Sequence, residues 1–102
     1  MERPYTTSEI KERLFPIFST SPIERVILFG SYAKGNPILT SDVDMLIDSK
    51  GKIRGIDFFG VLDAVVEALR IPVDMIEASQ IIEGGKTEQE ISETGVIIYE
   101  KA

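Results

Sequence analysis

The sequence has no cysteine and no histidine in 102 residues. The first absence excludes disulfides, a thiol nucleophile and thiolate metal sites. The second removes Ser-His and Cys-His catalysis and most transition-metal sites. Chemistry must then rest on carboxylates, hydroxyls, lysine, arginine and backbone, and carboxylates favour hard cations such as magnesium. No apolar run approaches the roughly 20 residues of a membrane span. The polar, mixed-charge stretch from Met1 to Glu12 is no signal peptide, so the expected location is the cytoplasm. Positive charge is also scarce: 11 basic residues stand against 17 acidic ones, for a net −6. Non-specific nucleic-acid binding needs a clustered basic surface that displaces phosphate counterions. Direct nucleic-acid binding is therefore not expected, and a small ligand or a protein partner is.

What is present reads as one domain over residues 1–102, with 43% apolar and 27% charged residues. Thr6 to Phe18 has helical spacing behind a Thr6–Glu9 capping box, with Pro16 expected to kink the helix or end it early. Arg25 to Phe29 is a buried strand, Gly30 to Thr40 a loop, and Asp42 to Asp48 a strand with Val43, Met45 and Ile47 on its buried face. Asp57 to Arg70 is the clearest helix, its Phe58, Leu62, Val65 and Leu69 stripe widened by Phe59 and Val66. Val73 to Ala78 is a third strand, Thr87 to Glu93 a short helix ending at Gly95, and Val96 to Tyr99 a last strand. The expected class is α+β, a small mixed sheet with helices packed on one face.

Two positions apart on a strand, Asp42 and Asp44 project from one face and can converge on a pair of cations about 4 Å apart, the arrangement of in-line phosphoryl chemistry. Alone, an Asp-x-Asp is more often a solvated acidic edge. Gly30 and Ser31 directly follow a buried strand, where a glycine lets backbone approach a phosphate and the next amides and hydroxyl can donate to it. A Gly-Ser at a strand end is, by itself, more often a turn. Asp48 shares a face with Asp44 but lies roughly 13 Å along the strand, too far to bind the same cations. Lys34 and Lys50 are read as solvated, Phe58 and Phe59 as core, and Tyr99 as a half-buried terminal residue.

The stretch from Leu28 to Asp48, LFGSYAKGNPILTSDVDMLID, resembles the signature of the DNA polymerase β-like nucleotidyltransferases: Gly30-Ser31, ten residues, then Asp42-Val43-Asp44. Ala33, Gly35 and Ser41 stand where members often have the same residues, and Asp74 matches the third carboxylate that members bear on a later strand. Over nearly its whole length the chain is similar to the stand-alone minimal members. The resemblance implies that Gly30 and Ser31 hold the β- and γ-phosphates, that Asp42 and Asp44 bind two magnesium ions, and that Asp74 ligates one of them and helps deprotonate the attacking hydroxyl. It implies ATP as donor and a helical HEPN-domain partner, one of whose tyrosines receives AMP, with the chain as antitoxin. Two alternatives stay open: a subunit that modifies a small molecule such as an aminoglycoside, and a non-catalytic antitoxin or nucleotide-binding module. Self-association is left open as well.

Overall fold

The first helix begins at the capping box. The Thr6 hydroxyl accepts from the Glu9 N–H and the Glu9 carboxylate accepts from the Thr6 N–H. In the computed structural model, which describes residues 3–101, helix α1 spans Thr7–Ser19 and runs past Pro16. The expected early end does not occur. The donor that proline lacks would have served the carbonyl of Glu12, an exposed residue whose carbonyl side can be met by water, while Leu14 and Phe18 are buried on either side of the defect.

Four strands follow the apolar runs: β1, Arg25–Phe29; β2, Val43–Asp48; β3, Val73–Glu77; and β4, Val96–Glu100. Their order in one sheet is β3-β2-β1-β4. β1 is antiparallel to β2 and β4, and β2 is parallel to β3. A parallel neighbour requires a crossover, which helix α3, Ile56–Leu69, supplies. A single turn of helix, α2 at Ser31–Lys34, interrupts the expected loop after β1, and α4, Lys86–Thr94, leads into β4.

Alternation places Val26 and Leu28 of β1, Val43, Met45 and Ile47 of β2, Met75 of β3 and Ile98 of β4 on one face. There they meet Ile10, Leu14 and Phe18 of α1 and Val65 and Leu69 of α3 in one core. The other face keeps the acidic residues of β2. Helix α3 is narrower in its buried stripe than its sequence suggests: Val65 and Leu69 are buried and Phe58 and Leu62 half-buried, but Phe59 is 62% and Val66 38% exposed. Each sits one residue, or about 100°, beyond a stripe position, which carries it off the sheet. Tyr99 is half-buried, its ring 5.7 Å from that of Phe18 and 6.0 Å from that of Phe15.

Candidate functional site

Gly30 ends β1 in a conformation that only glycine adopts freely, with φ 76. This turns the chain directly into α2, whose first amides have no intrahelical partner. Gly35 closes that turn in the left-handed region at φ 80 and donates to the carbonyl of Tyr32. Tyr32 itself is buried, so the turn is anchored in the core. The Ser41 hydroxyl accepts from the Ile38 N–H and fixes the return to β2. Gly35 and Ser41, noted in the sequence, thus shape the loop between the two motifs.

Register then brings the motifs together. Phe29, just before Gly30, pairs with Asp44 across β1 and β2. Asp44 pairs with Asp74 across β2 and β3, with Cα atoms roughly 4.8 Å apart as strand spacing dictates. A Cβ on Gly30 would run into the Asp44 carboxylate oxygen, so the missing side chain is what lets this carboxylate lie against the turn. Asp42 precedes β2 rather than lying in it, and is exposed. Asp74 is exposed also, and Asp44 half-buried. Asp48 is held apart at the far end of β2, where it accepts from the Lys50 N–H and pairs with its ammonium at 3.7 Å.

The acidic groups repel one another. Burial first, then the charges of Asp74, Glu90 and Asp42, push the Asp44 carboxyl up to about 6. Among the described residues none of Asp42, Asp44 and Asp74 is in an ion pair. Such a set of hard oxygen donors without a counterion fits a divalent cation. Among the described residues, however, no three carboxylates are gathered closely enough to hold a metal ion by themselves.

Two neighbours of the site were not legible in the sequence. Glu90 of α4 adds its charge to the field at Asp44. Thr94, the last residue of α4, accepts from the Gly30 N–H at 3.3 Å and donates to the Glu90 carbonyl at 2.8 Å, tying the turn to that helix. Their only signal was a place in a short polar helix, which says nothing about what it packs beside.

Known proteins are similar to this chain. The family model described as "Polymerase beta, Nucleotidyltransferase" matches residues 12–102. Two proteins of Methanocaldococcus jannaschii, each named "Putative protein adenylyltransferase", are 32% identical: one over 83 residues, covering 78% of this chain and 96% of its own, the other over 75 residues, covering 72% and 80%. Among solved structures, a chain of a toxin–antitoxin crystal structure with AMP-PNP superposes with a TM-score of 0.75 at 17% identity, over 89% of this chain and 73% of its own. A chain from the complex of the tri-AMPylated Shewanella oneidensis HEPN toxin with its MNT antitoxin superposes with a TM-score of 0.70 at 14% identity, over 94% and 74%. At these identities the structural likeness speaks for the fold.

Proposed function

Because the chain belongs to the polymerase β nucleotidyltransferase family, among its minimal members, we propose that it transfers AMP from magnesium-bound ATP to a hydroxyl of a protein partner, a tyrosine of a HEPN-domain toxin, and so acts as an antitoxin in the cytoplasm. That it is a nucleotidyltransferase follows from the family; donor, acceptor and residue roles are the proposal. The observation that supports it most is the register that sets Asp44 beside Asp74 and against Gly30.

In this reading the amides at the start of α2 and the Ser31 hydroxyl bind the β- and γ-phosphates, and Gly30 gives them room. Asp42, Asp44 and Asp74 are the residues that would hold two magnesium ions, which supply charge neutralisation for the triphosphate and the departing pyrophosphate. Magnesium is commonly held by one or two carboxylates together with substrate phosphates. The open spacing of the three aspartates therefore suits a site that nucleotide completes. In the same reading Asp74, exposed at the edge strand, accepts the proton of the acceptor hydroxyl as that oxygen attacks the α-phosphorus and pyrophosphate leaves. Preference for a protein acceptor rests on the named activity of the two M. jannaschii relatives, and preference for a HEPN partner on the complexes that share the fold.

The test is thermal unfolding with magnesium and ATP, followed by transfer of α-labelled ATP to a co-purified partner. Ligand at a hundred times its dissociation constant stabilises by about 2.7 kcal/mol, a rise of roughly 10 °C or more for a domain of this size. The rise and the labelling should both vanish in Asp44→Asn. Labelled ATP that binds but never transfers would favour a non-catalytic module.

A further inference from the structure

The chain has five arginines, at positions 3, 13, 25, 54 and 70, and three of them line one hollow. Arg3, Arg13 and Arg70 surround Tyr5, Leu69 and Ile71 in a cavity of about 740 Å³. Among the described residues the only acidic lining residue is Glu9, so those residues leave two positive charges in excess on a chain whose net charge is −6. Arg3 grips Glu9 with both arms, at 2.6 and 3.1 Å. Arg13 lies over the Tyr5 ring at 4.9 Å and among the described residues makes no ion pair. Arg70 has only a 3.6 Å contact with Glu67, in which both side chains are about three-quarters exposed.

Arg70 is also strained. It ends α3 at φ 61, in the left-handed region where glycine is at ease and a Cβ is not. Packing does not explain the arginine, since its side chain stands in solvent. The hollow is built on the core: the Tyr5 hydroxyl donates to the Leu69 carbonyl at 2.8 Å. Arg3 and Tyr5 line a second hollow of about 510 Å³ with Tyr32, Gly35 and Pro37. The two hollows share Arg3 and Tyr5, and together they line a groove from Arg70 to Gly35 and Pro37 in the loop that follows Gly30 and Ser31.

We propose that this groove docks an acidic polypeptide segment of the protein that receives the nucleotidyl group. The inference rests on the protein-acceptor reading above and names what that acceptor presents beside its hydroxyl. Arginine forks match carboxylates bidentately, and the Arg3–Glu9 pair displays that geometry within the groove. A nucleic-acid strand fits less well. Bases need free aromatic faces, but Tyr5 is covered by Arg13 and Tyr32 is buried. The chain's net negative charge also opposes a long polyanion.

The experiment uses the whole chain and fluorescence anisotropy of three labelled probes: a peptide with one tyrosine flanked by glutamates, the same peptide with glutamines, and a single-stranded RNA. The glutamate peptide should bind best and weaken with salt. Reversing two charges, in Arg13→Glu with Arg70→Glu, should weaken it by about tenfold or more. Arg70→Gly serves as the folding control. It relieves the left-handed strain, so it should melt no lower than the parent and still lose peptide affinity. Tighter binding of RNA than of peptide, no binding of the glutamate peptide, or affinity indifferent to these substitutions would each overturn the proposal. The magnesium-ATP melting shift, read on the same samples, separates the two readings. Its absence from the parent chain counts against nucleotide transfer, while the peptide result is obtained without ATP.

Discussion

At Gly30 two requirements fall on one residue: a positive φ and an empty β position against Asp44. Gly30→Ala is expected to cost about 1–3 kcal/mol for the positive-φ, extended-ψ backbone alone, and to displace the Asp44 carboxylate as well. A lowered melting temperature together with loss of the magnesium-ATP shift would be the observable. Asp44 itself yields a pH prediction. Its folded carboxyl titrates at about 6 rather than 3.8, so the native state holds the proton more tightly than the unfolded chain. Its contribution is favourable below the unfolded value and is lost as pH rises through about 6. Asp44→Asn should therefore gain on the parent in melting temperature between pH 4 and pH 7, even as it loses nucleotide. Parallel melts across that range check the sign.

Between elements, the joint that matters most for β3 is Glu77, only 3% exposed. Its carboxylate accepts from the Ser49 amide at 2.9 Å, the Ser49 hydroxyl at 2.6 Å and the Ser79 amide at 2.7 Å, locking the end of β3 to the loop after β2. Burial by itself would raise its carboxyl, but these donors from Ser49 and Ser79 outweigh that and hold it down to about 2. Glu77→Ala strands buried donors and should cost about 1–3 kcal/mol at neutral pH, measured by denaturant unfolding. This stabilisation is present above the ordinary value of 4.5 and is lost as pH falls through about 2. On α3, Leu69→Ala should cost about 2–5 kcal/mol, while Phe59→Ser should stay within about 0.5 kcal/mol.

That contrast marks where the sequence could be read and where it could not. Period and caps depend on neighbours along the chain, so α1, β1, β2 and β3 lie close to where the pattern of residues puts them, and Thr6 caps as its spacing to Glu9 requires. The width of a buried face depends on what lies across from it, which is why Phe59 reads as core and stands in water. The spacing of Gly30-Ser31 and Asp42-x-Asp44 is a local pattern too. Asp74 was reached only by resemblance, and its pairing with Asp44 is a matter of parallel register that no local pattern encodes. Glu90 and Thr94 of α4 reach Asp44 and Gly30, and the three arginines of the groove reach one another, only in the fold.

Across the whole molecule the last strand returns to the first, where Arg25 pairs with Glu100 and Leu28 with Val96. Removing residues 96–102 deletes Ile98 from the core and strips β1 of a neighbour. The loss should exceed the reserve of a small domain, about 5–15 kcal/mol at most, and leave a chain without cooperative melting by circular dichroism. The same connection orders events during synthesis. While a ribosome is still translating the region beyond residue 90, β1 has been waiting since early in the chain, and Gly30 has no Thr94 to receive its amide. Elongation at roughly 5–20 residues per second makes that wait several seconds. The turn at Gly30 is thus among the first parts made and the last finished.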